Sequence, residues 1–327
     1  MFEVRRYTAE QQDGWNRFVG LSKQGTFLVD RSYMDYHADR FADHSLVVFR
    51  NGRIYALLPA CQSGSILYSH QGLTYGGLIT GTKATAAGVC TVFEAINGYL
   101  AGQGISRVVY KAIPWIYHQL PAEEDLYALT SICNARLTVR HISSVIPFSC
   151  RMKFTESRRS GIRKALRAGI AVSESTDLAA FWAILNGNLE QKYGTHPVHT
   201  LSELQLLKAR FPQAIRLFLA SNSDGLPIGG TLVYETPRVV HTQYISASPE
   251  GKATGALDFL FDYIINKVYA DRKGFFDFGK SSDGDGRQLN SALIFQKEGF
   301  GGRGVCYDWY EWETGSGSCP ATAGKAV

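Results

Sequence analysis

Apolar positions along the chain recur with two periods, near 2 and near 3.6, and the switches between them mark out its elements. The runs SLVVFR (Ser45 to Arg50) and RIYALLPA (Arg53 to Ala60) flank Asn51-Gly52. Asn-Gly tolerates the positive φ of a tight turn, so the two runs are expected to form a β-hairpin. A Gly-rich stretch, GLTYGGLITG, then precedes a helical segment over Ala84 to Ala101 and a β-branched run from Ser106 to Ile113. Hairpins followed by helix and strand predict α/β alternation.

The later half repeats that order. Asp177 is placed to cap a helix running to Lys192, with Phe181, Trp182, Leu185 and Leu189 on one face and Gly194 at its exit. Thr200 and Glu203 have the spacing of a capping box for a helix through Leu207. Strands are predicted at Ile215 to Ser221, Gly229 to Glu235 and Arg238 to Ser246, the last two joined by Thr236-Pro237. A helix over Ala256 to Ala270, the strand GFFDFGK, a helix over Gln288 to Glu298 and a last strand, GVCYDWYEW, are expected to close a mixed sheet. The halves share element order, with no repeat visible at residue level.

A chain of 327 residues is comfortable for two domains of ordinary size. With 45% hydrophobic and 19% charged residues it has the material for packed cores, which argues against wholesale disorder. The formal charge of +5 favours anionic partners but does not imply nucleic acid, which needs cations clustered on one face. Cys61, Cys90, Cys133, Cys150, Cys306 and Cys319 form no CxxC pair, so they read as reduced, mostly buried thiols. The N-terminus lacks the apolar core of a signal peptide, and no stretch reaches the roughly 18 apolar residues of a membrane helix. The expected location is cytoplasmic, without membrane insertion. Thr314 to Val327 is rich in small residues and is expected to be a disordered tail.

The chemistry concentrates in Arg238 to Ile264, where an alternating strand runs into a Gly-containing loop and an amphipathic helix. Such a junction can aim backbone N–H groups and a positive helix end at a phosphate or a developing oxyanion. Ser246, Ser248, Gly251, Lys252, Thr254 and Gly255 are the donor-binding candidates; the plain alternative is an ordinary strand-to-helix loop. Strict alternation puts His241, Gln243 and Ile245 on one strand face and Val240, Thr242 and Tyr244 on the other. His241 is either a general base or a satisfied core histidine, and Tyr244 is a candidate proton donor to a leaving group.

The strand FFDFGKSS ends in a carboxylate, an ammonium and two hydroxyls, and ligands in open α/β sheets favour such strand ends. Asp277 can orient an acceptor amine or act as base, or simply bond the next loop. Lys280 and Ser281 are candidates for holding substrate. Ahead of this half, Arg159, Arg163 and Arg167 line one stripe of a basic helix, which either binds phosphate or forms a solvated face. In the first half His70 and Tyr75, with His37 and Gln71, are candidates for a cleft lining or for structural roles. His196 and His199 lack nearby carboxylates, so no metal is expected.

The segments HTQYISASPEGKATGALDFL, FFDFGKSSDGDG and LIFQKEGFGGRG, extended by SHQGLTYGG, DRSYMDYHADRF and GIRKALRAG, resemble the FemAB-like branch of the GNAT acyltransferase superfamily over nearly the whole chain to Trp312. The likeness implies two tandem GNAT-like domains, each a mixed β-sheet flanked by helices. The expected boundaries are 1–148 for a degenerate first domain and 149–313 for the acyltransferase domain. In the superfamily a Q/R-x-x-G-x-G/A loop binds coenzyme A pyrophosphate; here Lys252 to Leu257 (KATGAL) matches in part, with Lys first and Leu last.

The resemblance implies N-acyl transfer from an activated donor, acyl-CoA first, to an amine on a cell-envelope polysaccharide or peptidoglycan precursor, with no tightly bound cofactor. An aminoacyl-tRNA-dependent Fem-type ligase and a non-catalytic binding module on the same scaffold are the alternatives. Oligomeric state is not legible.

Overall fold

The structure, a computed structural model, describes residues 1–315, the side chains of residues 192 and 193 apart. The expected tail therefore lies outside the described residues beyond Thr314 and Gly315. Thr314 itself is buried, and its N–H donates to the Ser106 carbonyl at 3.0 Å. Two compact units separate, residues 1–140 with the segment from 306, and residues 141–305.

In the first unit β1 (Phe2–Arg6) leads into α1 (Gln12–Leu21) and α2 (Arg31–Met34). The hairpin of β2 (Leu46–Arg50) and β3 (Arg53–Leu58) turns at Asn51 and Gly52, with φ of +52° and +71°. Then come β4 (Cys61–Ser63), β5 (Ile66–Tyr68), β6 (Ile79–Thr80), α3 (Ala86–Gly102), β7 (Arg107–Lys111) and α4 (Glu124–Ser131). One sheet runs β1-β2-β3-β6; in the other, β4, β5 and β7 are joined by the chain's final strand, Arg303–Glu313. That strand lies antiparallel to β7, with Trp312 opposite Val108. Its place here follows from Trp312, which packs with Phe93 and Tyr110 and donates its indole N–H to Asn97 Oδ1 at 2.8 Å.

The second unit follows in chain order as β8 (Arg136–Pro147), α5 (Glu156–Arg167), β9 (Ala171–Ser175), α6 (Leu178–Tyr193) and α7 (Leu201–Arg210). It continues with β10 (Ile215–Ser221), β11 (Pro227–Glu235), β12 (Val239–Ala247), α8 (Pro249–Thr254) and α9 (Ala256–Tyr263). It ends with β13 (Phe275–Lys280), a small hairpin of β14 (Ser282–Asp283) and β15 (Gln288–Leu289), and α10 (Ser291–Glu298). The helix starts fall where side chains satisfy them: Asp177 accepts the Ala180 N–H at 2.9 Å, and Thr200 with Glu203 forms the capping box. Within this unit the strands run in the order β8-β13-β12-β11-β10-β9, antiparallel except for β12 beside β13. Val240, Phe276, Phe278, Leu260, Phe261 and Ile264 form its core between the sheet and α9.

The thiols differ from expectation in burial. Cys61 and Cys133 are buried and Cys90 half-buried, whereas Cys150 and Cys306 are exposed; Cys319 lies outside the described residues. No helix among the described residues is long and apolar enough to cross a membrane.

Candidate active site at a splayed strand pair

Parallel strands β12 and β13 pair for three positions, Val239 with Phe275, Val240 with Phe276 and His241 with Asp277. Beyond that last pair they diverge. Strand β12 also carries a bulge, because Leu232 faces Tyr244 and Val233 faces Thr242, leaving Gln243 as the extra residue. The bulge resets the alternation. Ile245 packs with Val240 in the core beneath α9, not beside His241. Tyr244 and Ser246 turn to α6: the Tyr244 ring meets Trp182 edge-on at 5.8 Å, and Ser246 Oγ accepts from Asn188 Nδ2 at 2.8 Å. The strict period-2 assignment of this face is thus corrected from Tyr244 onward.

Asp277 alternates with the core residues Phe276 and Phe278, so its carboxylate points to the opposite face and is fully buried. One oxygen lies 2.8 Å from His241 Nδ1. The other accepts from the Ser143 hydroxyl and, at 2.9 Å, from the Gly279 N–H. A carboxylate can only accept, so Nδ1 donates to it, and in the neutral imidazole Nε2 keeps its lone pair. Ser143 addresses Asp277 and not the imidazole, so the three groups are no nucleophile relay.

Gly279 has φ +72°, and a Cβ there would sit 3.3 Å from His241 Cε1. Its carbonyl and that of Lys280 each accept from Lys297 Nζ at 2.8 Å. Lys297 is only 5% exposed, and burial pulls its ammonium down to about 8 against the attraction of Asp277. Burial also lowers Lys280, again opposed by Asp277. Ser281 is buried, and its N–H donates to the Ile142 carbonyl at 2.8 Å.

Where the strands part, a pocket of about 580 Å³ opens. Its walls are mainly apolar, from Leu185 and Leu189 of α6, Leu257 and Phe261 of α9, Phe278 and Phe300. Among the described residues, two ammonium groups, Lys252 and Lys297, and no carboxylate contribute to the lining.

The expected donor loop is mostly helix. Residues 249–254 wind into α8, capped by Ser248, whose Oγ accepts from the Gly251 N–H at 3.1 Å. Gly251 packs against the Ile228 carbonyl, and the Thr254 hydroxyl donates to the Glu250 carbonyl at 2.9 Å. Gly255 breaks α8 from α9 at φ +79°. Of the six donor candidates, Ser246 and Lys252 line the pocket, and Lys252 Nζ reaches Asn188 Oδ1 at 2.8 Å. The other four have local structural duties.

The Tyr244 hydroxyl lies 2.6 Å from His199 Nδ1, and burial pushes it up to about 12. Arg159 and Arg163 share the Glu156 carboxylate on the exposed face of α5, and Arg167 is exposed too. His70 and Tyr75 lie in the interior of the first unit. His70 is buried, stacked on His37 at 5.1 Å and drawn down to about 3 by desolvation; the Tyr75 hydroxyl is 2.9 Å from Thr26 Oγ1. Sequence reasoning missed Lys297 and Ser143. A lysine amid the apolar run of LIFQKEGF was the available signal for the first; the second is one of two adjacent serines in a buried strand.

A parallel strand pair that splays at a polar apex, walled by helices, defines a class. Residues 152–286 match the acetyltransferase (GNAT) domain family. Over that segment, less than half of its length, the chain is similar to GNAT acetyltransferases. Among solved structures it is similar to FemX at 11% identity and TM-score 0.66, with 95% of this chain and 97% of that one covered. It is similar to L-PGS from Bacillus licheniformis at 12% identity and TM-score 0.58, covering 93% and 91%. A conserved protein of unknown function from Bacteroides thetaiotaomicron matches at 11% identity and TM-score 0.61, covering 96% and 99%. No curated protein matches the sequence.

Proposed function

We propose that the protein moves an acyl group from a thioester to an amine, with His241 and Asp277 handling the proton. The observation that carries this is the His241–Asp277 pair at the last joined position of β12 and β13, one residue before Phe278 of the pocket wall. The amine nitrogen attacks the thioester carbonyl, His241 Nε2 takes the ammonium proton of the adduct, the C–S bond breaks, and the thiolate receives that proton. Asp277 fixes the tautomer and stabilises the imidazolium. Two of the three Lys297 N–H bonds are spent on carbonyls, leaving one for the developing oxyanion. Tyr244, kept neutral by burial, orients groups on the same strand face. Lys280 and Ser281, at the end of β13, hold the acceptor.

The acceptor class, an amine on a cell-envelope precursor, rests on the Fem-type resemblance; a cytoplasmic location rests on the sequence pattern. The tandem reading, with the first unit as the degenerate copy, belongs to the same proposal. Against an aminoacyl donor stands the lining itself, whose described residues offer two ammonium groups and no carboxylate to a substrate α-ammonium. The test is thiol release from octanoyl thioesters with amino sugars and lysyl peptides as acceptors. Release that needs an amine and is lost in His241→Ala supports the reading; amine-independent release that survives the substitution removes it.

A further inference from the structure

An anionic donor carrier has three features to meet in the second unit: the pocket, the first turn of α9 and helix α5. The first turn of a helix attracts phosphate when its N–H groups are open and no anion is already present. Neither condition holds at α9. Asp258 places a carboxylate in that turn, paired with Arg158 at 2.6 Å. The Gly161 carbonyl of α5 lies so close to Gly255 that a Cβ there would be 2.6 Å from its oxygen. A diphosphate at this turn would meet a carboxylate and a carbonyl oxygen, both repulsive.

The pocket beside it is nevertheless open, and α5 stands at its edge. Phe300 is a pocket wall; the Arg158 guanidinium lies 5.6 Å over its ring, and Phe154 packs edge-on at 5.3 Å. The outer face of α5 presents Arg159, Arg163, Lys164 and Arg167 to solvent with one acid, Glu156. Among these cations sits Leu166, 54% exposed, and just before the helix Met152, 48% exposed. Cations around exposed apolar side chains match an acidic protein surface carrying apolar residues of its own. A nucleic acid would use the cations and leave the apolar groups idle.

We propose that the acyl donor is a thioester on the pantetheine arm of an acidic carrier protein, which docks on α5 and threads its arm into the pocket. This rests on the transfer reading above and specifies its donor. A carrier-linked arm needs no diphosphate site, because the carrier surface supplies the binding that a nucleotide would otherwise provide. The bonds made and broken are those already given, and the carrier leaves with a free thiol.

The test compares the octanoyl thioester of a holo acyl carrier protein of acidic pI with octanoyl-CoA on the full-length enzyme. Carrier affinity is read by fluorescence anisotropy and transfer by thiol release. The carrier is expected to be used at least about tenfold more efficiently at low salt, with the advantage shrinking as salt rises. Arg159→Glu with Arg163→Glu and Arg167→Glu should weaken carrier binding by at least about tenfold, while Arg17→Glu on α1 leaves it unchanged. Equal or better use of octanoyl-CoA with no carrier binding overturns the proposal and leaves the transfer reading standing. Tight salt-sensitive binding of aminoacyl-tRNA in place of the carrier also overturns it, in favour of a nucleic-acid partner. Absence of thiol release from either donor, with carrier binding intact, counts against the transfer reading and keeps the docking surface.

Discussion

Each unit buries a lysine, a histidine and a carboxylate, and the two sets are arranged to opposite ends. In the first unit Lys111 Nζ donates to the carbonyls of His70, Gln71 and Leu73 at 3.3, 3.0 and 3.1 Å, which ties down the loop between β5 and β6. His70 stacks neutral on His37, and Tyr110 donates to Asp125, whose carboxyl burial raises to about 6. In the second unit Lys297 donates to two carbonyls and lines a pocket, and the His241–Asp277 pair ends at diverging strands. Burial alone therefore does not mark a reactive group. The marker is a buried charge with capacity left over where the sheet leaves room for a ligand.

The comparison breaks most readily at the imidazole. His241→Ala should lower turnover by about 10²–10⁴-fold, the range for a general base, with a melting temperature within a few degrees of the wild type. His70→Ala, also at a buried histidine, should leave turnover intact. Early unfolding of His241→Ala at normal specific activity would make both histidines structural.

Trp312→Ala probes the assignment of the final strand to the first unit. Removing a fully packed indole costs about 3–5 kcal/mol, and its loss also strands the Asn97 amide oxygen. Hydrogen exchange should quicken in α3 and β7 before it does in β12 and β13. Equal quickening in β12 and β13 would place the strand's contribution elsewhere.

Much of this was readable in the chain. The Asn51-Gly52 hairpin, the Asp177 cap and the Thr200–Glu203 box were recognisable because each depends on residues within a few positions. His241 and Asp277 could be named singly, since strand-end polar residues stand out from their neighbours. What stayed hidden was non-local. The bulge at Gln243 is created by pairing with β11, so the strand's own pattern does not announce it. Lys297 acquires its role only when α10 folds against the Gly279 carbonyl. The helical form of the donor loop stayed hidden for a related reason: Ser248 and Gly255 are as good at capping a short helix as at holding a phosphate.

Lys297 gives a smaller effect with a pH signature. Lys297→Met should slow transfer by about 10²-fold, the loss expected for one oxyanion donor. Its folded pKa of about 8 lies below its ordinary 10.5, so between these values the unfolded chain binds more protons and stability rises with pH. Activity should fall over the same window as the ammonium is lost. Activity and melting temperature rising together above pH 8 would deny Lys297 a role as a cation.

The smallest effect belongs to His70. With a folded pKa of about 3 against an ordinary 6.5, the unfolded state takes up its proton first, so stability falls as pH drops from 6.5 toward 3. His70→Asn, which tolerates the φ of +68° there, should change neutral stability by about 1 kcal/mol or less and make the acid decline shallower. An unchanged acid slope would mean that another group sets it.

Single-turnover amide formation in Asp277→Asn addresses the central claim most directly. Asparagine preserves size and can still accept from Ser143 and Gly279, but its amide can donate to Nδ1 and so move the imidazole proton to Nε2, where the base is needed. The account predicts a rate lower by about 10²–10⁴-fold in a protein that melts within a few degrees of wild type. A wild-type rate in a protein that melts early would show that Asp277 holds the sheet together and that the proton leaves by another route.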